Sequence, residues 1–329
     1  MLNRLAKKKS LLFLLVPLLS ILHAADVKIL TQYRENGIKN LERSLDKELT
    51  TQAYWSKYLQ NIDTRFGYFE SYNNLLICDK SKSQLSLYKK DSNNSYILQR
   101  EYSAFTGKIQ GDKTKEGDLK TPVGVYNIVK KLTDVDSFYG PLAFVTSYPN
   151  LYDRYRGKTG QGIWIHGLPM HQDRDSFTKG CIAIDNKSIE CLGKNIDIDK
   201  TVLIISENEI QPIKSKEKFV TLLQNLFEWR YSWIYNDLNQ YLSFYDPTFK
   251  RFDGMNFQHF SNYKRRIFRK KEQKTILLKN INITPYPEST DLYKITFKEF
   301  YRTKRYSFQG NKVLIVKLQD NKFHIITEQ

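Results

Sequence analysis

Two short stretches carry the side chains best suited to bond-making chemistry: Gly162-Ile163-Trp164-Ile165-His166-Gly167 and Thr178-Lys179-Gly180-Cys181-Ile182-Ala183-Ile184. Side chains alternate across an extended chain, so Ile163 and Ile165 turn toward a core while Trp164 and His166 turn the other way. In the second stretch Ile182 and Ile184 go inward, and Cys181 shares the open side with Ala183. A thiol near its ordinary pKa of ~8.5 is mostly protonated at neutral pH. An imidazole within hydrogen-bond reach takes that proton and later returns it to a leaving amine. Gly180 allows backbone N–H groups to approach a reacting carbonyl as an oxyanion hole, and the Lys179 cation favours a thiolate. Taken singly, a cysteine is commonly an inert buried thiol and a histidine a structural residue, so residue type alone leaves both readings open.

Such a pair needs neighbouring strands to hold it, and the sequence around it is rich in strand signals. Leu75-Leu76-Ile77-Cys78 and Gln84-Leu85-Ser86-Leu87-Tyr88 flank the polar turn 79–83, as in a hairpin. Thr121-Pro122-Val123-Gly124-Val125-Tyr126 places turn punctuation before another strand, and Thr201–Ile205 closes the series. A β-rich catalytic domain is therefore expected over 69–207, with a charged linker at 208–218. The final segment, 219–329, opens with a helix whose Phe219, Leu222, Leu226, Trp229 and Trp233 share one face. Four strand-like runs follow, the last two joined by the turn Asp320-Asn321, which together read as a separate α+β domain.

Before the β-rich region, residues 25–68 read as a helical segment. Ile38, Leu41, Leu45 and Leu49 recur at spacings of three and four, an amphipathic stripe suited to contact with a second copy of the chain. At the start, Arg4 and Lys7-Lys8-Lys9 precede the twelve-residue apolar run Leu11–Leu22, and small residues follow at Ala24-Ala25. A bilayer span needs about 20 apolar residues, so this run, interrupted by Pro17, reads as a secretory signal over 1–24. Export to the periplasm is the expectation.

The 329 residues exceed one ordinary core, and 40% hydrophobic content excludes a largely disordered chain. Lys and Arg outnumber Asp and Glu by 52 to 35, a net charge of +17 that suits anionic surroundings. Export makes cell-wall polymer a better partner than nucleic acid. Three cysteines are too few for a disulfide scaffold, and Cys78 and Cys191 are expected as buried thiols. His171, His166 and Cys181 match no usual zinc spacing, so no metal is expected. Tyr152, Arg154 and Arg156, ahead of the histidine strand, are candidates for binding substrate carboxylates, and the basic run 264–274 reads as a solvated helix face.

His166, a loop, and then Thr178-Lys179-Gly180-Cys181-Ile182 resembles the active-site signature of the L,D-transpeptidase (YkuD-type) catalytic domain, over roughly 72–205. Thr121-Pro122-Val123-Gly124-Val125-Tyr126 resembles a second motif of that family, in the right order. The whole layout is similar to the cell-shape-determining L,D-carboxypeptidases of helical epsilonproteobacteria, which end in an NTF2-like domain. The fold class implied is a multidomain α+β protein: an N-terminal helical segment, a β-rich YkuD-like catalytic domain and a C-terminal NTF2-like α+β cone enclosing a pocket for a ligand or partner.

The resemblance also implies the chemistry. Cys181 would attack a peptidoglycan stem tetrapeptide at the carbonyl of its third residue and expel terminal D-alanine. His166 would serve as base and then acid, its ring oriented by a backbone carbonyl near Gly167. Trp164, Thr178, Lys179 and Ala183 would border the substrate, and neither a metal nor an organic cofactor is required. Lys179 stands where the family usually has His or Arg, and Ala183 where many members have Asn or Arg. The second departure favours water over an amine as acceptor, hence a carboxypeptidase. The alternatives are an L,D-transpeptidase making 3-3 crosslinks, or a non-catalytic wall-binding scaffold.

Overall fold

A computed structural model describes residues 16–171 and 175–329. The basic residues of the expected leader and the start of its apolar run lie outside the described residues. No described helix is long and apolar enough to cross a membrane.

In the N-terminal unit, residues 1–51, the described element is helix α1 (Val16–Glu48). Gly37 interrupts it at φ 71° and ψ 168°, a conformation that glycine adopts readily. The expected apolar stripe does not become a continuous buried seam: Leu41 is buried, whereas Ile38 is 62% and Leu45 46% exposed.

Residues 52–329 form the second unit. It begins with α2 (Gln52–Tyr58) and the two-residue strand β1 (Tyr68–Phe69). An eight-stranded sheet follows, built from β2 (Asn74–Asp79), β3 (Gln84–Lys90), β4 (Tyr96–Ser103), β5 (Gly124–Leu132), β6 (Ala143–Thr146), β7 (Trp164–His166), β8 (Ile182–Ala183) and β9 (Thr201–Ser206). Helix α3 (Leu151–Tyr155) lies between β6 and β7, and α4 (Asn186–Asn195) between β8 and β9. The strand order is β4-β3-β2-β9-β5-β6-β7-β8, with β2–β9 and β7–β8 parallel.

Both faces of this sheet are covered, which explains the unbroken apolar runs in β2 and β9. Leu76, Cys78, Leu203 and Ile205 point into a core shared with Ile189 and Leu192 of α4. Leu75, Ile77, Val125 and Val202 point the opposite way, into a core shared with Tyr286, Leu292, Ile315 and Ile326. These last four belong to the C-terminal part, so the two lobes are joined by a common apolar interior.

That C-terminal part consists of α5 (Glu217–Ile234), α6 (Leu238–Leu242), α7 (Phe257–Phe268), β10 (Thr275–Pro285), β11 (Leu292–Arg302), β12 (Ser307–Gln319) and β13 (Lys322–Glu328). Phe219, Leu222, Leu226, Trp229 and Trp233 of α5 are all buried, as their spacing requires. Asp320 and Asn321 both adopt positive φ (48° and 60°), the geometry of a tight hairpin turn between β12 and β13. The sheet order is β1-β10-β11-β12-β13, with Tyr68 opposite Ile283 and Phe69 opposite Asn282. Trp55 of α2 also packs on Phe227 of α5, ring centroids 4.9 Å apart. Residues 52–69 therefore meet the C-terminal lobe, and they meet the catalytic lobe as well, with Phe66 on Tyr88 at 4.8 Å and Arg65 donating to Tyr96 O at 2.7 Å. A two-residue strand is too short to show a period in the sequence.

The three cysteines form no disulfide with one another. Cys78 is fully buried, and burial pushes its thiol up to about 12. Cys191 departs from expectation: it is only half-buried, because its sulfur lies at the surface against Arg100 Nη1 (3.3 Å) and Asn195 Nδ2 (3.4 Å).

Candidate active site

The sheet's last two strands hold the cysteine and histidine stretches side by side. In the parallel pair β7–β8, Ile165 faces Ile182 and His166 faces Ala183, which sets Cys181 level with Trp164. Ile165 and Ile182 enter the core. Alternation then puts Trp164, His166, Cys181 and Ala183 on the same opposite face, so His166 and Cys181 are diagonal neighbours on adjacent strands. The backbone extends the pairing, with Ile184 N donating to His166 O at 3.0 Å.

Cys181 is half-buried, and two backbone groups straddle its sulfur. Trp164 N–H donates to Sγ at 3.4 Å, and Sγ lies 3.4 Å from the carbonyl of Gly162. The first contact suits a thiolate, which accepts; the second suits a thiol, which donates. His166 is 1% exposed, and its Nδ1 lies 2.7 Å from Gly167 O. A carbonyl only accepts, so Nδ1 carries the proton and Nε2 is the ring's basic lone pair. The tautomer required of a general base is thus fixed by a backbone carbonyl. The ring of Tyr139 stands edge-on to His166 (5.0 Å, 89°) and packs on Trp164 at 5.1 Å, which holds both side chains.

The turn before Cys181 is shaped by Thr178 and Gly180. Thr178 is buried, its Oγ1 donating to Cys181 O at 2.7 Å and accepting from Gly180 N at 2.9 Å. Gly180 has φ 133°, and a Cβ there would lie 2.8 Å from Lys120 O. Its part in the turn is conformational, and its own N–H is taken by Thr178 Oγ1.

Among the other expected substrate contacts, Trp164 is half-buried and Lys179 is exposed beside the cysteine turn. Ala183 is 0% exposed, because Phe105 pairs with it on the side away from β7 (Phe105 N to Ala183 O, 2.8 Å). Its own side chain therefore has no surface to offer a substrate. Buried Thr178 likewise spends its hydroxyl inside the turn.

Tyr152 and Arg154 reach the C-terminal lobe, whereas Arg156 finds its partners within the catalytic one. Tyr152 packs edge-on against Tyr286 at 4.9 Å. Arg154 donates to Pro149 O at 2.6 Å and Gln329 Oε1 at 3.1 Å. Arg156 pairs with Asp112 and the fully buried Asp153, both at 3.1 Å, and Lys158 joins the same two carboxylates. Arg156 thus neutralises carboxylates of this chain, and Arg154 is held by a backbone carbonyl and an amide oxygen.

Two further residues around His166 were not identified from the sequence as parts of the site. Tyr139 accepts from Gly167 N at 2.9 Å through its backbone carbonyl, in addition to its ring contacts. Asn186, the first residue of α4, accepts from Leu168 N at 2.8 Å through Oδ1. The local signal at Asn186 was only that of a helix start behind the capping Asp185. No group of His, Cys, Asp and Glu arranged to hold a metal ion occurs among the described residues.

A half-open cleft lies in the C-terminal lobe. Trp233, Phe260, Lys264, Glu299, Lys312 and Glu328 are among the residues lining a cavity of about 460 Å³. Lys264 is buried and faces the rings of Trp233 (4.5 Å) and Tyr241 (5.0 Å); burial lowers its pKa to about 8. The basic run is therefore divided: Lys264 turns inward, while Arg265, Arg266, Arg269, Lys270 and Lys271 remain on the exposed face.

Comparison with known proteins agrees with this two-lobed arrangement. Residues 73–205 match the L,D-transpeptidase catalytic domain (YkuD), and residues 221–329 the Cds6 C-terminal NTF2-like domain. The crystal structure of the helical cell shape determining protein Pgp2 from Campylobacter jejuni is 39% identical, with a TM-score of 0.78, covering 85% of this chain and 100% of that one. Bd1075 of Bdellovibrio bacteriovorus is 26% identical, with a TM-score of 0.64, covering 82% of this chain and 96% of its own. YafK of Escherichia coli K12, whose name places it with the L,D-transpeptidases, is 31% identical over 112 residues. That match covers 34% of this chain and 42% of YafK.

Proposed function

Because the chain belongs to the L,D-transpeptidase (YkuD) family, in the form that carries a C-terminal NTF2-like domain, we propose that it is an exported peptidoglycan L,D-carboxypeptidase with Cys181 as nucleophile. The observation that carries this reading is the disposition of the pair. The Cys181 sulfur lies between a backbone donor and a backbone acceptor, diagonal to a histidine whose Nδ1–H is held by Gly167 O.

In this reading His166 Nε2 takes the Cys181 proton as the thiolate attacks the carbonyl of the stem's third residue. A carbon–sulfur bond forms, and the carbonyl electrons move to oxygen. Collapse of that intermediate breaks the peptide bond to the terminal D-alanine, whose nitrogen leaves with the proton from the imidazolium. Water, deprotonated by His166, then cleaves the thioester and regenerates the thiol, leaving a tripeptide. Lys179, exposed at the cysteine turn, is placed to attract the anionic stem. The C-terminal cavity would take a further wall ligand or partner. Trimming of stems would influence cell shape, the property stated for Pgp2.

The test is product analysis by mass spectrometry with defined muropeptides. Free D-alanine with tripeptide is the expected outcome, abolished in Cys181→Ala. Dimers joined through two third residues would instead identify a transpeptidase. Unchanged wall composition in cells carrying Cys181→Ala would leave only a scaffolding role.

A further inference from the structure

We propose that Asn186 is a positioning residue for His166, acting through the single peptide unit that joins Gly167 to Leu168. The inference rests on the cysteine–histidine reading above and supplies the member that reading lacks, a group that fixes the orienting carbonyl.

The carbonyl of Gly167 and the N–H of Leu168 belong to the same peptide plane and point in opposite directions when the bond is trans. The carbonyl end meets His166 Nδ1 at 2.7 Å, and the N–H end meets Asn186 Oδ1 at 2.8 Å. Pinning one end of a rigid plane fixes the other. A peptide that donates through its N–H is also polarised so that its carbonyl accepts more strongly. A backbone N–H can only donate, so the amide oxygen of Asn186, not its nitrogen, faces Leu168.

The surrounding backbone is cut to admit this oxygen. A Cβ at Gly167 would lie 2.3 Å from Asn186 Oδ1, and one at Gly140 2.5 Å from the same atom. Both positions are glycine, and Gly167 N donates to Tyr139 O at 2.9 Å, which fixes the preceding peptide too. Asn186 also lies five residues after Cys181 on a segment held in register with β7 through Ile184 N and His166 O. The segment that carries the nucleophile therefore also carries the support for its base.

The test compares Asn186→Ala with Asn186→Asp, which keeps the accepting oxygen. For Asn186→Ala, kcat on a stem tetrapeptide falls by ~10- to 100-fold, in the range of lost outer-shell support, while KM stays within about twofold. Asn186→Asp restores most of kcat. Iodoacetamide labelling of Cys181, located by peptide mapping, slows several-fold in Asn186→Ala at neutral pH. In wild-type protein, hydrogen exchange of the Leu168 amide and of His166 Nδ1–H is slow, a measurement that needs neither turnover nor a folded variant. The proposal is overturned if the Leu168 amide exchanges at the solvent rate. It is equally overturned if Asn186→Ala keeps wild-type kcat and labelling. A wild-type protein inert toward tetrapeptide, with both protons protected and labelling slowed in the variant, would sink the carboxypeptidase reading and leave this one standing.

Discussion

Thr178 Oγ1 donates to the carbonyl of Cys181 at 2.7 Å while accepting from Gly180 N at 2.9 Å, so one hydroxyl closes the turn that presents the sulfur. Valine has nearly the same shape and neither function. Thr178→Val is expected to lower kcat by about tenfold or more, through a sulfur displaced by a fraction of an ångström. Thr178→Ser should stay within a few-fold of wild type, and steady-state kinetics on a tetrapeptide distinguishes the two.

Gly180 gives a sharper outcome. Its φ of 133° is one that side chains rarely adopt, and an added Cβ would sit 2.8 Å from Lys120 O. Gly180→Ala should therefore lower stability by about 1–3 kcal/mol, read as a fall in Tm, and abolish turnover even in the folded fraction.

Acid sensitivity is expected from Asp118, which organises the loop ending at that same Lys120 carbonyl. Burial pushes its carboxyl pKa up. The Lys113 ammonium at 2.7 Å and the amides of Thr114, Lys115 and Lys120 outweigh burial, holding it below the ordinary carboxylate range. A carboxylate depressed in the folded state stabilises above its unfolded pKa, and that contribution is lost as pH falls through the folded value. Stability should decline from about pH 4 downward, and Asp118→Asn should flatten the decline in urea titrations at several pH values.

Lys294 predicts behaviour at the opposite end of the scale. Its ammonium, carried by β11, reaches Val125 O at 3.2 Å and Asn127 Oδ1 at 3.1 Å in β5, and burial lowers its pKa to about 8. The unfolded chain then binds more protons than the folded one between about pH 8 and 10.4, so stability should rise with pH across that window until the tyrosines titrate. Lys294→Ala removes two hydrogen bonds between the lobes and should cost about 1–2 kcal/mol. Because the lobes share a core, the loss should appear in one melting transition.

How much of this was legible depended on the range of the interaction. Period-two alternation placed Ile165 and Ile182 inward, and the β7–β8 pairing puts His166 and Cys181 on the opposite face. The α5 stripe was equally local and reads directly as a buried face. The partners that Arg154 and Arg156 find within the chain were not legible, because Gln329 and Asp112 are distant in sequence. Ala183 was expected on an open face, and nothing nearby shows that Phe105 pairs beside it. Asn186 was invisible for the same reason: its reach to Leu168 exists only after Gly140 and Gly167 have come together.

The pairing of Tyr68 and Phe69 with β10 means that the polypeptide crosses between the lobes twice, once before β2 and once after β9. Such a double crossing works as a two-point tether, restricting swivelling in a way that a single flexible leash would not. It also governs dissection of the molecule. A fragment cut at the charged linker would lose its outermost strand, leaving the ladder of β10 unzipped and prone to sticking to other copies. The natural unit for expression or transplantation therefore begins no later than α2.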